Sequence, residues 1–135
     1  MRRLQWDFDM ARYVRDKFLE EYVRKVGDRA GLNYLDYSRI RCVRSYEAKS
    51  RSVAARIHSA SRALWAGMSL SPHYVIEFVS EVFDRLPEEE KAEVVLHELL
   101  HIPRVMGGGL IGHGALDFKS EVRRLLKRVK AAEEV

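Results

Sequence analysis

The sequence predicts an α+β fold, in which a small twisted sheet of about three strands packs against an N-terminal helix, a helix that carries the HELLH motif and a C-terminal helix. Segments near both ends repeat apolar residues at helical spacing, and three short segments between them are rich in β-branched and aromatic residues. No linker divides the 135 residues. We therefore expect a single domain over residues 1–135 with one core.

The composition is that of a globular protein, with 47% apolar residues, 33% charged residues and a net charge of +4. No apolar run is long enough to span a bilayer, and MRRLQWDFDM does not resemble a signal peptide. The single cysteine, Cys42, cannot form an internal disulfide, so we expect a cytoplasmic protein. The absence of threonine, with one asparagine and one glutamine, also fits a thermophilic source.

The first predicted element is an amphipathic helix over residues 6–26. Its apolar stripe repeats every four positions and is widened by three further residues: Met10, Val14, Phe18, Tyr22 and Val26, with Ala11, Leu19 and Val23. Gly27 and Gly31 should end this helix.

Three segments in the middle of the chain predict the strands. RIRCVRS (39–45) and VAARIHS (53–59) alternate apolar with polar residues, although the alanines of the second leave a helix open. YVIEFV (74–79) follows Pro72 and is β-branched and aromatic. Its apolar residues continue at helical spacing, so a short helical turn is expected over 80–86.

The helix that carries HELLH is bounded by two prolines. Pro87 suits its first turn, and the three glutamates that follow favour the positive end of a helix dipole. Pro103 disfavours helical geometry at the residue before it, so the helix should end near His101 or Ile102. A glycine-rich loop over 107–114 and a last amphipathic helix over roughly 116–132 complete the chain.

The HELLH motif suits a metal site. His97 and His101 lie one turn apart on the same helix face, where both imidazoles can reach one ion. Glu98 lies on the flank of that face and can reach a water on the metal, as general-base catalysis requires. The opposite face is apolar and is expected to be buried: Ala92, Val95, Leu96 and Leu99.

A third ligand is needed, because catalytic zinc sites commonly use three protein ligands and leave one position for water. His113 follows GGGLIG, and the flexible glycines can bring it back to the helix. Glu121 is the alternative ligand, and Asp117 is a candidate acceptor that would orient a ligand histidine. We prefer His113, with one Zn²⁺ per chain.

These motifs resemble a family of short zinc metallopeptidases from archaea and phages. The resemblance covers residues 39–126 and is carried by RIRCVRS, SRSVAARIHSASRALW, HYVIEFVSEVFDRLPEEEK and most specifically HELLHIP with GGGLIGH. It implies His97, His101 and His113 as zinc ligands and Glu98 as the catalytic acid/base. It also implies a compact zincin-like architecture, in which YVIEFV or the 53–59 segment pairs with an extended peptide substrate.

The leading hypothesis is therefore a zinc-dependent metallopeptidase. His73, Tyr74 and Arg104 are candidates for stabilising the oxyanion, and the sequence does not choose among them.

The uneven charge supports an alternative, a zinc-dependent nucleic-acid hydrolase or nucleic-acid-associated protease. Residues 1–70 carry 15 Lys/Arg against 8 Asp/Glu, and residues 71–135 carry 9 against 12. The side chains that would contact phosphates are Arg39, Arg41, Arg44, Lys49, Arg51, Arg56 and Arg62. A third hypothesis, a non-catalytic zinc-stabilised interaction module, predicts a closed site with four ligands.

Overall fold

A computed structural model describes residues 12–47 and 52–134. Its sheet has four strands in the order β1-β2-β4-β3. β2 and β4 run parallel, and the other two pairs are antiparallel. The strands are β1 (Arg12–Arg15), β2 (Ile40–Tyr46), β3 (Ala55–His58) and β4 (Tyr74–Val79). The α+β class with a small sheet is confirmed, and the described sheet has four strands where about three were expected.

Five α-helices lie in the described ranges: α1 (Lys17–Arg29), α2 (Arg62–Gly67), α3 (Ser80–Phe83), α4 (Glu88–Leu100) and α5 (Phe118–Glu133). Two short 3₁₀ turns accompany them, Tyr37–Arg39 and His113–Ala115. None of the helices described is both long enough and apolar enough to cross a membrane.

The helix predicted over residues 6–26 is wrong at its start. Residues 12–15 form β1, which pairs with β2, while residues 6–11 lie outside the described part of the chain. The helix begins at Lys17, because the Asp16 side chain accepts a hydrogen bond of 3.0 Å from the Leu19 amide and caps the first turn. Phe18, on the expected apolar stripe, is 91% exposed.

The C-terminal end of α1 differs from its prediction as well. Gly27 lies inside the helix, where its backbone packs closely against Tyr37. Gly31 follows the helix in a left-handed conformation, with φ of +81°, which glycine adopts without strain. Gly31 is therefore the residue that fits the predicted helix stop.

The other predicted elements agree closely with the structure. β2, β3 and β4 occupy the three segments expected to be strands, and β4 leads directly into the helical turn α3. α4 ends at Leu100 with His101 as its C-cap, within two residues of the predicted stop. α5 extends one residue past the predicted end.

The core lies between one face of the sheet and α1, α4 and α5. Alternate residues of β2 and β4 point into it, as the twofold repeat of a strand requires: Ile40, Cys42, Tyr74, Ile76 and Phe78. α4 contributes its apolar side, which includes all four residues expected to be buried. The helix that carries HELLH is therefore fixed rigidly beneath the sheet.

The strand order corrects one expectation about substrate binding. β4 lies between β2 and β3, so neither of its edges is open to another chain, and YVIEFV cannot pair with a peptide. β3 is an edge strand of the described sheet. It packs beside α4, and it is the segment that has an open edge near the histidines.

Candidate metal centre

Two elements bring three histidines together. α4 presents His97 and the His101 that caps it, and the 3₁₀ turn after the glycine-rich loop presents His113. The Nε2 atom of His97 lies 3.3 Å from Nε2 of His101 and 3.2 Å from Nε2 of His113. The ligand atoms of all three lie within 4.8 Å of one another.

These separations fit a small tetrahedral cation. With zinc–nitrogen bonds of about 2.0–2.1 Å, two nitrogens on a tetrahedral ion stand about 3.3 Å apart. Within the described residues, this histidine group has no fourth cysteine, aspartate, glutamate or histidine ligand. Three imidazoles with one position left over are a donor set suited to a catalytic zinc ion.

The backbone of Ile111 orients the His101 ring. His101 Nδ1 lies 2.5 Å from the Ile111 carbonyl oxygen, and a carbonyl can only accept, so Nδ1 carries the hydrogen. The lone pair of Nε2 then points toward the other two histidines. The Ile111 amide also donates to the His101 carbonyl at 2.7 Å, which ties the loop to the end of α4.

The glycine-rich loop is anchored before it reaches Ile111. Gly108 donates its amide to the Tyr74 hydroxyl at 2.9 Å, and Gly109 donates to the Ala60 carbonyl at 3.1 Å. Both glycines have positive φ, +101° and +72°. A side chain at Gly108 would lie 3.1 Å from the Ala60 carbonyl oxygen, so the close approach also requires glycine.

Arg39 fixes the first part of the same loop. Its guanidinium donates to the carbonyl oxygens of Pro72 and Met106, each at 3.0 Å, and it also pairs with Asp36. The Asp36 amide in turn contacts the Met106 sulfur at 3.1 Å. This arginine therefore stabilises the chain that leads from α4 to His113.

Phe118, the first residue of α5, packs against all three histidines. Its ring centroid lies 5.0 Å from that of His97, 4.4 Å from His101 and 5.2 Å from His113. It is 6% exposed. The signal that points to it is its position five residues after His113, at the start of the helix that follows the loop.

Glu98 is buried beside these rings, with only 7% of its surface exposed. Burial raises its pKa to about 7, because a carboxylate loses hydration in the protein interior. The pKa of His97 is lowered, first by burial and then by the neighbouring His101 and His113. A neutral imidazole is the form that binds a metal ion.

The alternative ligands from α5 have other partners. Glu121 pairs with Arg124 at 2.7 Å, which lowers the pKa of the carboxylate. Asp117 caps α5 by accepting from the Ser120 amide at 3.2 Å. Ile111, and not Asp117, provides the acceptor for a ligand histidine.

A cleft of about 960 Å³ opens beside the histidines. His97 and Glu98 line it together with Phe118, and the segment 52–55 that leads into β3 forms another wall. An opening of this size beside an incompletely coordinated site is unlike a closed structural zinc site.

The proposed oxyanion donors lie elsewhere. Tyr74 is fully buried, and its hydroxyl accepts from Gly108. His73 contacts the Ser71 carbonyl through Nδ1, and the Arg104 guanidinium stacks 4.6 Å from the Tyr34 ring centroid. These three residues are not among those that line the cleft.

Several arginines that were candidates for phosphate contacts are engaged within the protein. Arg44 pairs with Asp16 and Asp84, and Arg56 pairs with the buried Glu77. Arg39 holds the loop as described above, while Lys49 and Arg51 lie outside the described residues.

Comparison with known proteins places the chain in a family. The model of a family described as "putative phage metallopeptidase" matches residues 11–135. The chain belongs to this family, whose name implies a metal ion and a peptidase activity. The match confirms the resemblance to a phage metallopeptidase family and extends it from residues 39–126 to β1 and α1. No curated protein and no solved structure matches the chain.

Proposed function

We propose that the protein is a zinc-dependent metallopeptidase, with His97, His101 and His113 as the zinc ligands and Glu98 as the general base. The observation that carries this proposal is the convergence of three imidazole nitrogens, with His97 Nε2 at 3.2–3.3 Å from the other two, beside a buried glutamate and an open cleft. Zinc bound there would lower the pKa of an attacking water and polarise the substrate carbonyl.

Glu98 is suited to move the proton. It takes a proton from the water as the water oxygen bonds to the peptide carbonyl carbon, and it passes that proton to the amine nitrogen as the C–N bond breaks. Glu98 directly follows His97 and lines the cleft with it, so its carboxylate is placed to reach a water in the cleft.

The edge strand β3 is suited to hold the substrate. The Val79 amide donates to the Ala54 carbonyl at 2.9 Å, so in the alternating antiparallel pattern the backbone groups of Ala55 and Ile57 point away from β4. An extended peptide can pair with this edge through backbone hydrogen bonds. The residues just before Ala55 line the cleft with His97 and Glu98, which would bring the peptide to the reacting groups.

The ligand set is tested by zinc affinity. His113→Ala should weaken zinc binding by at least about a hundred-fold, since loss of even a supporting residue costs 10–100-fold. Glu121→Ala is the matched control, because Glu121 is acidic, close in sequence and paired with Arg124. Full affinity in the His113 variant, with loss in the Glu121 variant, would refute the assignment.

The reaction is tested by cleavage of a peptide mixture, followed by mass spectrometry. The zinc-loaded protein should cut peptides, and Glu98→Gln should keep one zinc per chain while the rate falls by about 10²–10⁴-fold. RNA and DNA are assayed in parallel. Cleavage of nucleic acid with all peptides left intact would refute a peptidase.

A further inference from the structure

The two ends of the cleft are formed by different residues. At one end Phe118 packs on the histidines, and at the other end Glu89 pairs with Lys130 at 2.8 Å. α4 and α5 are therefore antiparallel along its walls. From His97 to Glu89 the helix rises about 12 Å at 1.5 Å per residue. That length accommodates three to four residues of an extended peptide at about 3.3 Å each.

The α5 wall carries positive charge close to the histidines. Lys119 directly follows Phe118, Arg123 lies one turn further on, and Lys127 lies one turn beyond that. All three line the cleft and are exposed. None of the three forms an ion pair with another residue in the described ranges.

Apart from Glu98, negative charge on the α4 wall begins one turn from His97. Glu89 is neutralised by Lys130, which leaves Glu93 and Glu90 at four and seven residues before His97. Neither of these two glutamates pairs with a cation in the described part of the chain. Lys119 is therefore the lining cation nearest to Glu98, and Arg123 adds a second cation at about the level of Glu93.

Aliphatic side chains also contribute to the lining, beginning within one turn of the histidines: Val94, Val122, Leu126 and Leu86. Val94 and Leu86 are half-buried, while Val122 and Leu126 are buried in the core. An apolar side chain of a bound peptide would be stabilised there, because its surface is removed from water. The lining thus combines cations on the α5 wall, beginning beside the histidines with Lys119, and an apolar strip that runs along the cleft.

We infer, on the basis of the proposed function, that the cleft selects extended peptides with an acidic side chain next to the scissile bond and an apolar side chain further along. Lys119 and Arg123 determine the first preference by attracting the carboxylate. The apolar lining determines the second.

The experiment measures peptide binding separately from cleavage. Two fluorescent octapeptides are used, which differ only at the position next to the scissile bond, where one has Glu and the other has Lys. Each is titrated into zinc-loaded Glu98→Gln protein, and fluorescence anisotropy reports its affinity. The Glu peptide should bind about ten-fold more tightly at low salt, from roughly two- to five-fold for each exposed charge pair. The preference should shrink in 0.5 M salt, because exposed charges are screened.

Reversing the charges of Lys119 and Arg123 tests whether these two residues cause the preference for the Glu peptide. Lys119→Glu/Arg123→Glu should abolish or reverse it, and both side chains are exposed, so the fold should tolerate the change. Lys17→Glu/Arg24→Glu on α1 is the matched control, which changes net charge equally away from the cleft and should keep the preference. Equal affinity for both peptides, or a preference that survives in the α5 variant, would overturn the inference.

Cleavage of the same peptides by the wild-type protein separates the two proposals. Charge-dependent binding that follows Lys119 and Arg123, without any cleavage, would support the selectivity of the cleft and count against the peptidase. Cleavage with no dependence on charge would support the peptidase and overturn the selectivity.

Discussion

The substitution Glu98→Gln should stabilise the metal-free protein at alkaline pH. Burial raises the Glu98 pKa from the ordinary 4.5 to about 7. At about 1.4 kcal/mol per pKa unit, ionising this group in the fold costs about 3 kcal/mol more than in the unfolded chain. Because the folded pKa is the higher one, the stabilising contribution is fully present below pH 4.5 and is lost as pH rises through 7.

The assay is urea unfolding of the EDTA-treated wild type and variant at pH 5 and pH 8. Glutamine has nearly the same shape and does not titrate, and the histidines titrate in both proteins, so their contribution largely cancels in the comparison. The stability of the wild type relative to the variant should fall by about 2–3 kcal/mol between the two pH values. A difference that stays constant within about 0.5 kcal/mol would refute the argument that burial opposes the charge.

Bound zinc provides a second test of this prediction. A dication beside the carboxylate favours the ionised form, so zinc-loaded wild type and variant should differ much less between pH 5 and pH 8. The same unfolding experiment with excess zinc measures this change. An unchanged pH dependence in the presence of bound zinc would show that Glu98 does not sense the metal.

Three further results are expected. Tyr74→Phe leaves the Gly108 amide without its 2.9 Å acceptor, so stability should fall by about 1–2 kcal/mol and zinc affinity should weaken, as thermal unfolding and zinc titration would show. Gly27→Ala would place its Cβ 2.0 Å from the Tyr37 hydroxyl oxygen, so the free energy of unfolding, measured in urea, should fall by about 1–3 kcal/mol. Gly67→Ala is the control, because a Cβ there meets nothing within 4 Å and the substitution should be neutral or stabilising. Zinc affinity, measured by competition with a chelator, should fall steeply below about pH 6, because three imidazoles must be neutral to bind.

The pattern of apolar residues and prolines in the sequence predicted those elements that interactions between neighbouring residues determine. β2, β3 and β4, the turn at α3 and the end of α4 near Pro103 all follow from side-chain alternation and from proline geometry. The pairing of His97 with His101 on one face of α4 follows from helical spacing alone.

The N-terminal helix was mispredicted because tertiary pairing overrode the apolar spacing. Val14 continues the stripe of residues four apart, but it lies in β1, opposite Arg44 of β2. The buried face of α1 instead contains Leu19, Val23 and Val26. Asp16 is a helix-capping residue type and marks the true start, so the signal was present and the longer stripe obscured it.

The geometry around His113 could not be predicted, because long-range contacts determine the path of the loop. Glycines between 107 and 114 indicate flexibility, whereas the observed path depends on Tyr74, Ala60 and Arg39, all distant in sequence. The contact of Phe118 with the histidines depends in turn on that path. A single sequence carries no record of such contacts.

Ile111 is bonded to His101 through its own main-chain atoms alone. The Ile111 carbonyl and amide bond to the ring nitrogen and to the carbonyl of His101. Almost any amino acid at position 111 would supply the same two groups, and only proline would remove the amide. A substitution at position 111 other than proline should therefore change the contact of this side chain with the core while the orientation of the His101 ring is kept.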